Sequence, residues 1–200
     1  MSATPDRQNV PISRVKSPRT PTSPGNVASL RIEESISTIV EYHRKWIQAV
    51  DKGTLYCNAI KQIKKNAAQQ QEPSSSDDPY PENLQLYCKN LMVMVSIMED
   101  IEANALTSVD QVKSLKEFFF DCDTIGCTWN YRKILNAVER IIASYKKEIL
   151  FRKYIAENIG HSQTLDQLFL FVTSWNHGAD NARDRELLIT MLKYEFQLPS

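Results

Sequence analysis

The chain predicts an all-α fold, a long antiparallel helical hairpin of coiled-coil character followed by a smaller C-terminal helical bundle. Three observations carry this. Apolar residues recur at alternating steps of three and four over two long stretches, a polar linker with prolines separates them, and no stretch shows the period-two alternation of a strand.

Residues 1–29 read as a disordered tail. They hold five of the nine prolines, four basic residues against one acidic and no aromatic residue, so they bury too little apolar surface to offset the entropy of ordering. Within them, "SPRTPTSPG" (17–25) sets Ser17, Thr20 and Ser23 each before a proline, as candidate phosphorylation sites for a proline-directed kinase. The residue three after each acceptor is not basic, so a proline-rich spacer accounts for the segment equally well.

The hairpin is expected over 30–120. Ile32, Ile36, Ile39, His43, Trp46, Val50, Cys57 and Ile60 form one narrow apolar seam, which implies a helix of about 37 residues, near 55 Å long. Gly53 lies on that seam and marks a kink, a close helix crossing or a weak point. A polar linker at 69–80 follows, and Pro81 suits the first turn of a second helix. Its seam runs Leu84, Tyr87, Leu91, Met94, Met98, Ile101, Ala105, Ser108, Val112, Leu115 and Phe119. "SVDQ" (108–111) has capping character, so a break near Thr107 is the alternative to one continuous helix.

The loop at 121–128 precedes a C-terminal helical region, 129–200. Ile134, Val138, Ile141, Tyr145, Ile149, Ala156 and Ile159 share one side of its first helix, and Gly160 has the place of a C-terminal cap. "TLDQ" (164–167) has capping-box spacing, and Asp180 or Asn181 opens a last helix.

The charge balance, 24 basic against 24 acidic residues, gives no global reason for nucleic acid or a membrane surface as the main partner. No apolar run approaches the roughly 20 residues that span a bilayer, and no secretory signal opens the chain, so an intracellular protein with reduced cysteines is expected. No GxGxxG, no P-loop and no Glu with a His three residues later is present. Cys122 and Cys127 make a lone C-x4-C, a weak zinc signal. No catalytic residue, cofactor or metal site is therefore expected.

Two surfaces are candidates for partners. Arg132, Lys133, Arg140, Lys146, Lys147 and Lys153 project opposite the apolar stripe of their helix. An ordinary solvated face explains them; a contact with an acidic protein surface or a phosphate backbone is the sharper account, with Arg140 and Lys147 as its candidates. "LFLFV" (168–172) is apolar at five consecutive positions and leaves that helix no water-facing side. Phe169, Phe171 and Trp175 are thus candidates to meet another chain, burial in the C-terminal bundle being the alternative, and Phe118 of "FFF" (118–120) raises the same question.

"HRKWIQAVDKG" (43–53), "TW" (128–129), "YKKEILFRKYIAENIGH" (145–161), "LFVTSW" (170–175) and "RDRELLITMLKYEF" (183–196) are similar, in that order and at similar separations, to the cyclin-dependent kinase 2-interacting protein family. The likeness spans about residues 36–196. It implies a non-enzymatic adaptor of the nucleus and cytoplasm, associated with the S-phase cyclin-dependent kinase, the origin-firing kinase and checkpoint signalling. It also implies a subunit of an AAA+ ATPase assembly acting in large ribosomal subunit maturation and at replication forks. A reading from another class is a nucleic-acid-contacting accessory factor that uses the basic face of 132–153.

Overall fold

A computed structural model describes residues 24–69, 83–120, 123–179 and 182–199. The fold is all-α. The described residues form α1 (Pro24–Gln69), α2 (Leu84–Ser114), α3 (Tyr131–Asn158), α4 (Leu165–His177) and α5 (Ala182–Glu195), with short 3-10 turns at Lys116–Phe118 and Ile159–His161.

Helix α1 begins at Pro24, whose fixed φ suits a first helical turn, and the Ser29 hydroxyl donates to the Gly25 carbonyl. The expected tail boundary at residue 29 is therefore corrected: 24–29 are helical, with Ala28 buried. Residues 1–23, including Ser17, Thr20 and Ser23, lie outside the described residues. Of the α1 seam, Ile32, Ile36, Ile39, His43, Trp46, Cys57 and Ile60 are buried as read, while Val50 is half-buried and its neighbour Ala49 is buried instead. Helix α2 starts at Leu84, after Asn83 at φ 67°; Pro81 lies outside the described residues. It runs unbroken through Thr107, whose hydroxyl donates to the Ala103 carbonyl at 3.2 Å, so the helix does not restart at 108.

Helices α1 and α2 run antiparallel: Ser35 reaches Gln111 at 3.4 Å near one end, and the Tyr56 and Tyr87 rings meet at 6.3 Å near the other. Helix α3 runs back along α2, with the Tyr131 hydroxyl donating to the Val112 carbonyl and Lys153 paired with Glu99, both at 3.1 Å. Helices α4 and α5 then climb α1 in succession. Trp175 Nε1 donates to the Val50 carbonyl at 3.1 Å, and Glu186 meets His43 at 3.0 Å. Together they fill the fourth position of an up-down bundle. One hydrophobic cluster contains residues of all five helices, so the C-terminal helices share the core of α1 and α2 and make no smaller bundle of their own.

Two glycines shape that fourth position. A Cβ on Gly53 would overlap Trp175 Cζ2, so of the three meanings open to this glycine the close helix crossing is the one realised. Gly178, at φ +69°, ends α4 with its N–H donating to the Ser174 carbonyl. The capping spacing at 164–167 works as read: Gln167 N–H donates to Thr164 Oγ1 at 3.2 Å, and Gln163 N–H to Gln167 Oε1 at 3.1 Å.

The loop before α3 is held by a residue from the far end of the chain. Thr128 donates its N–H (2.7 Å) and its hydroxyl (2.6 Å) to the buried Glu195 carboxylate, and Trp129 donates its N–H at 3.0 Å. Burial alone would raise the pKa of this carboxyl, but these hydrogen bonds and the nearby Lys133 charge outweigh it and hold the value below the usual carboxylate range. A lowered folded-state pKa stabilises the fold above the unfolded value, about 4.3, and that contribution is lost as pH falls through the folded value. Glu195→Gln, with one acceptor oxygen fewer for three donors, is expected to cost about 1–3 kcal/mol at neutral pH. Urea unfolding of parent and variant should converge as the pH is lowered below about 4; a constant difference down to pH 2 would contradict the clamp.

Candidate functional site

The outer faces of α3, α4 and α5 carry the functional candidates, and a buried ion cluster sets how they are presented. Glu148, on the inward side of α3, accepts from Arg152 Nε at 2.8 Å and faces Arg185 Nη1 of α5 at 2.6 Å, the latter as a close ion contact. All three side chains are buried. Arg152 Nη1 also donates to the Trp175 carbonyl at 2.8 Å, and Arg185 Nη1 to Ser144 Oγ at 2.9 Å. The guanidiniums lie over aromatic faces, Arg152 over Trp175 at 4.7 Å and Arg185 over Trp46 and Tyr145 at 5.1 Å each. Burial pulls the Arg152 pKa down, and the neighbouring Glu148 charge opposes it.

The cluster ties the end of α4 and the start of α5 to one point of α3. A Cβ on Gly178 would lie 3.0 Å from Glu148 Oε1, so the break between the two helices is built against this cluster. It continues through Tyr145 to His43 Nδ1 at 3.0 Å, whose Nε2 meets Glu186. Burial pushes the Tyr145 pKa up, and the hydrogen bond with His43 lowers that of Glu186.

On α4, Leu168, Val172 and Trp175 turn inward, while Phe169 and Leu170 are each 63% exposed. The helix therefore has a solvent side, contrary to the reading of "LFLFV", on which Phe169 and Leu170 stand among Asp166, Gln167, Asn176 and His177. Trp175, expected to face a partner, is 0% exposed and belongs to the core, because Gly53 leaves its indole room against α1. Phe171 is half-buried, its ring 6.2 Å from that of Tyr154 on α3. Tyr154 and Leu150, four residues apart on the outer face of α3, are both exposed, so the apolar surface crosses from α4 to α3. Phe118 is exposed on the 3-10 turn after α2; Phe119 stacks on Tyr131 at 5.8 Å instead.

The basic ridge of α3 divides in two. Lys146 and Lys153 turn to α2, where Glu102 and Glu99 lie at 3.7 and 3.1 Å. Arg132, Lys133 and Arg140 line a groove of about 530 Å³ between α3 and α5, opposite Leu187 and Met191, with Arg140 paired to Asp184 at 2.8 Å. Lys147 is exposed two turns beyond Arg140, beside a smaller cleft of about 200 Å³ that Arg140, Ser144 and Arg185 also line.

Comparison of the chain with protein-family models and with curated proteins finds no match. The site has to be judged on its own chemistry. Cys57 is buried and its thiol is pushed up to about 12 by that burial, so it is protonated at neutral pH and a poor nucleophile; burial raises Cys88 as well. Among the described residues no group of three or more His, Cys, Asp or Glu is placed to hold a metal ion, and Cys122 of the C-x4-C pair lies outside them. No helix among them is long and apolar enough to cross a membrane.

Of the candidates read from the sequence, the structure brings Arg140 and Lys147 to one groove system and leaves Phe169 and Phe118 at the surface. The sequence reading missed Leu150 and Tyr154, which sit off the buried stripe of α3 at a spacing of four, and Leu187 and Met191, exposed at the same spacing on α5. Glu148 and Arg152 were also missed, although their i,i+4 spacing is that of a helical ion pair.

Proposed function

We propose that this chain is a non-enzymatic adaptor that docks helical surfaces onto larger protein partners. One observation carries the reading: Phe169 and Leu170 on α4 and Leu150 and Tyr154 on α3 are all exposed, with Tyr154 meeting Phe171 of α4, in a chain that has an extensive core to bury such residues in. Charged groups in the interior support it too, because they pair with one another and hold helices in place. The resemblance to the cyclin-dependent kinase 2-interacting protein family adds the class of partner: a cyclin-dependent kinase, the origin-firing kinase and subunits of an AAA+ ATPase complex, in nucleus and cytoplasm.

Phe169→Ser is the direct test. An aromatic anchor lost from an interface costs binding and little folding, so the variant is expected to melt within about 2 °C of the parent while losing co-purified partners. If it unfolds, Phe169 belongs to the core and the reading fails. The nucleic-acid reading keeps one specific support, the row of cations where α3 faces α5. Salt titration separates the two: phosphate binding weakens steeply as salt rises, and apolar docking does so only slightly.

A further inference from the structure

We propose that the groove between α3 and α5 is a second docking site, built for an acidic amphipathic helix of a partner protein. This deepens the adaptor reading and rests on it. The site has two unlike walls. Along α5, Leu187 and Met191 are exposed at a spacing of four, with Tyr194 one turn on, so an apolar stripe runs up the helix beside the groove. Along α3, Arg132, Lys133 and Arg140 line the same groove, and Lys147 extends the basic wall into the adjoining cleft. Among the described residues Asp184 is the one acidic residue lining either space.

Length and charge choose the occupant. From Arg132 to Lys147 the wall covers fifteen steps of α3, about 22 Å at 1.5 Å per residue, the length of a four-turn helix. A helix laid there would cover Leu187 and Met191 with its apolar side and set carboxylates opposite the α3 cations, the helix-in-groove mode of recognition. The chain's own residues 1–23 do not fit on charge, with four basic residues against one acidic. A phosphate backbone would satisfy the cations but has nothing to lay on Leu187 and Met191. The other half of the ridge, neutralised by Glu99 and Glu102 of α2, shows the same kind of pairing made within the fold.

The test titrates the full chain into a fluorescein-labelled synthetic helix of about 18 residues, with leucines at i, i+3, i+4 and i+7 spacing and glutamates elsewhere, read by fluorescence anisotropy. A second peptide replaces every glutamate by lysine. The acidic peptide is expected to bind at least about tenfold tighter than the lysine peptide, and Lys147→Glu, Lys133→Glu and Leu187→Ser are each expected to weaken it by about tenfold or more. Circular dichroism melts confirm that each variant remains folded, and Met191→Ser replaces any that does not. Phe169→Ser should leave peptide binding unchanged.

Equal affinity for the two peptides overturns the proposal. So does an acidic peptide insensitive to the groove variants, and so does a single-stranded RNA that displaces it with a steep salt dependence unaffected by Leu187→Ser, since the groove would then be a phosphate site. The adaptor reading fails separately, on the Phe169→Ser co-purification.

Discussion

Glu148→Ala is expected to destabilise the protein by about 3–5 kcal/mol, because it strands two buried arginines without their shared counter-charge. Arg152 loses the carboxylate at 2.8 Å and Arg185 the one at 2.6 Å, and both are too deeply buried for water to replace it. The aromatic faces of Trp175, Trp46 and Tyr145 recover only a part, since a cation–π contact contributes about 0.5–2 kcal/mol. The midpoint of urea unfolding should fall with little change in slope. A triple replacement by methionine at 148, 152 and 185 should be milder than Glu148→Ala alone, because no charge is left behind. An alanine variant as stable as the parent would mean that the three charges do not share one site.

Trp175→Ala is the second large effect, about 3–5 kcal/mol for a fully buried aromatic. Its interaction with Gly53 gives the prediction a sharper form. Gly53→Ala places a methyl group against the indole and should cost about 1–3 kcal/mol by overpacking. In the Trp175→Ala background the same change fills space and gains up to about 1 kcal/mol of helix propensity, so the sign reverses. Additive costs in the double variant would place the indole elsewhere. The pair also separates core from surface on α4: Trp175→Ala lowers the melting temperature and Phe169→Ser does not.

Much of this fold was legible because burial follows period. The seams of α1 and α2 and the stripe of α3 name most of the core, since one narrow apolar line on a long helix can only face other helices. Periodicity could not decide α4. "LFLFV" offers no polar position to mark the outside, and the choice fell to Gly53, more than a hundred residues earlier, whose missing side chain admits Trp175. Nor could it read the ion cluster, in which Glu148 and Arg152 look like surface charges until Arg185 and the Trp175 carbonyl arrive from elsewhere in the chain. The basic ridge was visible as a set. Its division depended on where Glu99, Glu102 and Asp184 fall, which is tertiary information.

The central claim is that the exposed apolar surface of α3 and α4 is covered by another protein. A photo-crosslinking phenylalanine analogue placed at residue 169 or 154, and at Thr38 on the exposed side of α1 as a control, tests this in cells. Covalent adducts of this chain with a second protein are expected from 169 and 154 and not from 38. Adducts absent at both, or no more abundant than at 38, would contradict the claim.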